Sequence, residues 1–170
     1  VSDHTMALLL SLARKISYAN RLVQGGSWNM KAVVPLHRLR GCVLGLIGFG
    51  KIPRAVVPKA RAFGMKVITA DPYLSDDAAS ELDVELVEFE QLLQQSDYIS
   101  LHAPLTPETD RLFDADAFKR MKPEAVLINT ARGALIDETA LADALDAGLL
   151  AGAALDVVPE EPLTSDSPLL

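Results

Sequence analysis

The chain has 170 residues, a length that suits one domain with a sizeable core. A formal charge of −7 argues against nucleic acid and an anionic membrane surface as partners, because either needs a basic face. The single cysteine, Cys42, excludes a disulfide framework and makes a reducing cytoplasm the expected setting.

Ser2 or Asp3 caps a predicted helix that runs to residue 23. Met6, Leu9, Leu10, Ala13 and Ile16 mark one face, and Leu8 and Leu12 make the other face apolar too. A helix apolar on both sides asks for burial beyond its own domain. Arg14 and Lys15 interrupt its apolar run well short of the roughly 20 residues of a membrane span. Gly25 and Gly26 end the helix, and residues 28–40, with Pro35 inside, read as irregular. From Gly41 the pattern alternates. Strands are predicted at 43–47, 66–70, 84–87, 98–101, 125–128 and 153–155. Helices are predicted at 50–63, 89–95, 114–121 and 138–147. This alternation predicts an α/β fold: a doubly wound parallel sheet with helices on both faces, three layers in all. The chain starts on Val1 and closes on Ser167-Pro168-Leu169-Leu170, which reads as a piece of a longer protein.

A glycine-rich turn, Gly48-Phe49-Gly50-Lys51-Ile52-Pro53, follows the first strand and opens a helix. Gly48 and Gly50 allow a tight turn and a close approach of backbone to a pyrophosphate. Backbone N–H groups at the helix start face the anion, and Lys51 adds a positive charge. Twenty-one residues past Gly50, at the end of the next strand, stands Asp71. A carboxylate there accepts from ribose hydroxyls and repels a 2′-phosphate, which favours NAD over NADP. Its plainer reading is an Asp-Pro turn former. Pro53 takes the place of the third glycine, and Pro58 falls inside the same helix. Proline is tolerated in a first helical turn, whereas Pro58 is expected to kink the axis. Together the two prolines are expected to weaken cofactor binding.

The other informative stretch is Asn129-Thr130-Ala131-Arg132-Gly133, followed by Gly152-Ala153-Ala154-Leu155-Asp156 and Pro159-Glu160-Glu161-Pro162. Arg132 stands just after one predicted strand, and Asp156 and Glu161 just after another. Ligands of open α/β sheets bind outside the carboxyl ends of strands, so these residues are placed to handle a negatively charged substrate. The plainer readings are a structural ion pair for Arg132 and a solvated loop carboxylate for Glu161.

These motifs together resemble the Rossmann-type NAD-binding domain of the D-isomer-specific 2-hydroxyacid dehydrogenases, over nearly all of residues 1–170. The resemblance implies that residues 1–28 form a helix making contacts in a homodimer. Leu101-His102-Ala103-Pro104-Leu105-Thr106-Pro107-Glu108-Thr109 matches the loop flanking the cofactor, with Ala103, Pro104, Thr106 and Thr109 as its contacts. The same resemblance assigns Thr130, Ala131 and Arg132 to the cofactor, and Arg132 also to the substrate's carboxylate and carbonyl. It assigns Asp156 to the nicotinamide carboxamide side and Glu161 to pairing with a catalytic histidine. Physical chemistry agrees: arginine's planar fork suits the adjacent oxygens of a 2-keto acid. A histidine can protonate the carbonyl oxygen near neutral pH, and a glutamate bonded to its ring favours the charged form.

His4, His37 and His102 do not match the position of that histidine. The family's substrate domain, built from chain on both sides of the cofactor domain, is also outside these residues. The 170-residue chain alone is therefore expected to be inactive. Formate dehydrogenases of the family carry glutamine where Glu161 stands, which sets this chain apart from them. The alternative function is an NAD(H)-sensing scaffold similar to the C-terminal binding protein co-repressors. Val34-Pro35-Leu36-His37-Arg38-Leu39-Arg40-Gly41 and Asp71-Pro72-Tyr73-Leu74-Ser75-Asp76 resemble that branch.

Overall fold

The computed structural model describes residues 1–170. The first two helices are α1 (Ser2–Ala13) and α2 (Ile16–Gln24), followed by a single 3-10 turn at Met30–Ala32. Strand and helix then alternate: β1 (Val43–Ile47), α3 (Lys51–Ala62), β2 (Lys66–Ala70), α4 (Asp76–Glu81), β3 (Glu85–Leu86), α5 (Phe89–Gln95) and β4 (Tyr98–Leu101). The chain closes with α6 (Ala115–Arg120), β5 (Val126–Asn129), α7 (Glu138–Asp146) and β6 (Gly152–Leu155). The six strands form one sheet in the order β3-β2-β1-β4-β5-β6, and every pairing is parallel. The expected doubly wound sheet is therefore present, in the strand order of dinucleotide-binding folds.

Alternation along each strand sorts side chains into two cores. Leu44 and Leu46 of β1 and Ile128 of β5 pack with Met6, Leu9, Val56 and Ala60 from α1 and α3. Ile99 and Leu101 of β4 and Leu127 of β5 face the other way, onto Leu92, Phe118 and Leu141 of α5, α6 and α7. All four residues of β4 are buried, as a central strand covered on both faces requires. Gly45 of β1 lets α5 lie close, because a Cβ there would run into Leu92 and Ser96.

The predicted helix over 2–23 is two helices. Lys15 takes a left-handed conformation, φ +51°, and turns the chain between them. The physical reason is unequal burial. Thr5, Met6, Leu9 and Ala13 fix α1 to the sheet, whereas α2 buries no residue. Neither glycine nor proline marks the corner, and periodicity alone carries the helix through it. The Ser11 and Ser17 hydroxyls bridge it at 3.0 Å.

Helix α4 lies in a stretch for which no element is predicted. Its signal is Ser75, whose Oγ accepts from the Ala78 N–H, ahead of two acidic residues in the first turn. In α3, Pro53 is buried in the first turn, and Val56 and Ala60 are fully buried. Pro58 lies inside the helix on its exposed side, and helical structure continues past it to Ala62.

Candidate functional site

Strand order reverses between β1 and β4, so the turns leaving their carboxyl ends diverge and open a crevice. The turn after β1 is held tightly there. Gly48 has φ +84° and donates its N–H to the Ala70 carbonyl at 2.9 Å. A Cβ on it would lie 3.0 Å from the Ala103 nitrogen, so the turns after β1 and β4 touch only because residue 48 is glycine. Gly50 differs. A Cβ there would meet nothing within 4 Å, so no internal contact demands glycine. Gly50 is the N-cap of α3, and no side chain caps that helix. The N–H groups of Lys51 and Ile52 are therefore left for an outside acceptor, while Pro53 contributes none. An uncapped helix start beside an open glycine fits the pyrophosphate of a dinucleotide.

Asp71 stands at the end of β2, half-buried. Its Oδ2 accepts from the Phe49 N–H at 2.7 Å, which fastens the glycine turn, and Oδ1 accepts from the Tyr73 N–H at 2.8 Å. The turn-forming role is thus real. Each oxygen keeps a further lone pair, so accepting from a ribose is compatible with it. Behind Asp71 lies a cleft of about 540 Å³. Asp71, Tyr73, Phe89, Ala103, Pro104 and Thr109 line it, a mixed surface of the kind that takes a nucleoside.

The loop after β4 is closed by its own threonines. Thr109 Oγ1 accepts from the Thr106 N–H at 2.8 Å and donates to the Pro104 carbonyl at 2.7 Å. His102 at the loop's start lies 3.0 Å from the Ser100 hydroxyl through Nε2. Burial pushes its pKa from 6.5 down to about 4, so the ring is neutral at physiological pH.

A second cluster forms where β5 and β6 end. Asn129 is fully buried. Its side chain accepts from the Ala131 N–H at 3.0 Å and donates to the Arg132 carbonyl at 2.8 Å, clamping the turn that carries Arg132. The Arg132 side chain is exposed and has no carboxylate partner, so it is not a structural ion pair. Its Nη1 donates to the Ala131 carbonyl at 2.7 Å. Gly133 lies directly against the Val158–Pro159 backbone, where any Cβ would collide. That contact joins the Arg132 turn to the loop bearing Glu161. Glu161 itself is exposed and accepts only a long bond, 3.4 Å, from the Val158 N–H.

Asp156 accepts from His4 at 3.0 Å, and the Thr130 hydroxyl bonds that of the fully buried Thr5 at 3.1 Å. Sequence reasoning gave no role to His4, Thr5 or Asn129. The available signal was a polar pair, His4-Thr5, at the head of an apolar helix. The predicted residues thus form two groups, one around the Gly48–Ile52 turn and Asp71, the other around Arg132 and Asp156. No three His, Cys, Asp or Glu side chains are grouped to hold a metal ion. No helix is long and apolar enough to cross a membrane.

Comparison with known proteins gives one consistent result. The family described as D-isomer specific 2-hydroxyacid dehydrogenase, NAD binding domain, matches residues 6–170. A glyoxylate reductase of Thermococcus litoralis is 46% identical over 167 residues, which are 95% of this chain and 50% of that protein. A chloroplastic D-3-phosphoglycerate dehydrogenase of Arabidopsis thaliana is 45% identical over 99% of this chain and 27% of its own length. Among solved structures, an NAD-dependent formate dehydrogenase from Staphylococcus aureus in complex with NAD has a TM-score of 0.91 and 38% identity. It is matched by 99% of this chain, which covers 51% of it. The chain therefore spans from about a quarter to about half of the length of these relatives.

The His102 environment predicts how stability depends on pH. Folding favours the neutral ring, so its contribution is complete above pH 6.5 and is lost as pH falls toward about 4. Urea midpoints compared at about pH 7 and about pH 5 should fall less in His102→Gln than in the parent. Equal falls would show that His102 is not held neutral by burial.

Proposed function

The chain belongs to the NAD-binding domain of the D-isomer-specific 2-hydroxyacid dehydrogenase family, and from this we propose that it is the cofactor half of a dehydrogenase acting on a D-2-hydroxy acid and its 2-keto acid. The observation that carries the proposal is the Arg132 guanidinium, exposed and free of any carboxylate at the carboxyl end of β5. An unpaired arginine held by a buried clamp beside a dinucleotide site is an anion receptor in waiting. The reductases and dehydrogenases among the relatives support this reading over the co-repressor scaffold.

Each group has a separate task in this reading. Phe49, Gly50, Lys51 and Ile52 receive the pyrophosphate, with Gly48 setting the turn. Asp71 accepts from the ribose hydroxyls and rejects a 2′-phosphate. Ala103 and Pro104 line the nucleoside cleft, and Thr106 and Thr109 keep their loop in shape. Thr130, Ala131 and Asp156 border the nicotinamide side. Arg132 binds the substrate carboxylate and carbonyl oxygen together, which fixes the face offered to the cofactor. Bound NAD(H) supplies the hydride donor or acceptor.

Proton transfer needs a group this chain does not place. His4 is engaged with Asp156, His102 lies beside Ser100, and the one hydrogen bond of Glu161 comes from the Val158 N–H, so none of His4, His37 and His102 is bonded to it. Glu161 is proposed to orient a histidine supplied from outside these 170 residues, together with a substrate domain. The chain alone then binds cofactor without turning over keto acids. We further propose that α2, whose Ile16, Tyr18 and Val23 are exposed, as is Trp28 beyond it in the chain, packs against a second copy in a homodimer.

Two measurements test this. NADH should bind saturably and NADPH at least about tenfold more weakly, a gap that Asp71→Asn narrows. Equal binding of the two by the parent would remove the ribose role of Asp71. Sedimentation should show a species of twice the chain mass. A monomer at all concentrations would sink the dimer.

A further inference from the structure

Helix α1 does more than cover the sheet. Its residues 4 and 5 make two separate side-chain ties, one to each loop of the second cluster. The Thr5 hydroxyl, fully buried, bonds Thr130 just after β5 and also donates to the Val1 carbonyl at 3.3 Å. The His4 Nε2 bonds Asp156 Oδ1 just after β6. A carboxylate only accepts, so the His4 Nε2 carries the hydrogen. A polar residue buried in an otherwise apolar helix face is hard to displace once its bond is made. Thr5 therefore fixes where His4 stands.

We propose that His4 is a positioning residue that sets the charge Asp156 presents to the nicotinamide, so that protonating His4 lowers the preference for the oxidised cofactor. This rests on the reading above that Asp156 borders the nicotinamide. The oxidised ring carries a positive charge and the reduced ring none. A carboxylate nearby favours the oxidised form. Neutral His4 leaves that carboxylate at −1 while orienting it, and charged His4 cancels it.

The surroundings leave this role to His4. On the α3 side, Lys59 is taken up by Asp3 at 3.3 Å and by the Ser2 hydroxyl at 2.9 Å. After β5, Arg132 turns its guanidinium to the Ala131 carbonyl. Helix α2 leaves from the far end of α1, beyond Arg14 and Lys15. The His4 and Asp156 side chains are about half exposed, 49% and 48%. Water screens the pair, so the expected effect on affinity is about fivefold rather than thousands.

The test is the ratio of dissociation constants, NAD+ over NADH, measured by calorimetry on the chain across a pH series from about 5.5 to about 8. The ratio should rise about fivefold on acidification in the parent. In His4→Gln, which keeps a donor toward Asp156 but cannot charge, it should stay at its high-pH value. By linkage, NAD+ binding within that pH series should release protons and NADH binding should not, read from heats in buffers of different ionisation enthalpy. If both cofactors bind and the parent ratio is flat, the role of His4 falls while the cofactor site stands. A pH-dependent ratio that survives in His4→Gln also overturns it. If neither cofactor binds, the cofactor reading fails and takes the role of His4 with it.

Discussion

The parallel pairing of β1 with β4 is the constraint on which the site depends. Strands added on one side of β1 run outward to β3, and those on the other side run outward to β6. The connections must therefore leave β1 and β4 toward opposite faces, and only there does the sheet top stay open. The opening is kept narrow by Gly48, which lets the two departing turns touch at Ala103. Fully buried β4 and the two cores behind it hold that geometry rigid. A crevice built this way exists before any ligand arrives, so little ordering cost falls on binding.

Both halves of the site use the same local device. A polar side chain at a strand end fastens a neighbouring turn of the candidate site. Asp71 at the end of β2 holds the Phe49 N–H of the glycine turn. Asn129 at the end of β5 holds the Ala131 N–H and the Arg132 carbonyl. In each case the fastener uses part of its hydrogen-bonding capacity on the backbone. Asp71 retains lone pairs for a ligand, while Asn129 is sealed and acts only through the turn. Helix α1 adds ties of its own at Thr130 and Asp156. The second half-site therefore depends on residues more than a hundred positions away in sequence.

That distance explains what the sequence did and did not reveal. The strands were legible because apolar runs such as 43–47 and 98–101 are bounded by polar or glycine breaks, and alternation with helices implies parallel order. Gly48 and Asp71 were legible because each follows directly after a strand, and Arg132 because it stands three residues past one. The Lys15 corner was not, since an αL lysine leaves no mark in composition and only the docking of α1 demands it. Nor was the tie between His4 and Asp156, which requires knowing that α1 lies across the ends of β5 and β6. The alternative of a structural ion pair at Arg132 could be settled only by seeing every carboxylate around it. Glu161 stands exposed in a loop, and its one hydrogen bond, from the Val158 N–H, gives it no marked position in the fold.

The most direct test of the account is a crystal structure of the chain with NADH. The pyrophosphate should lie against the backbone N–H groups at the start of α3, with the adenosine in the cleft behind Asp71 and the nicotinamide toward Arg132 and Asp156. Well-ordered NADH bound away from the β1–β4 crevice, or reversed within it, would contradict that account.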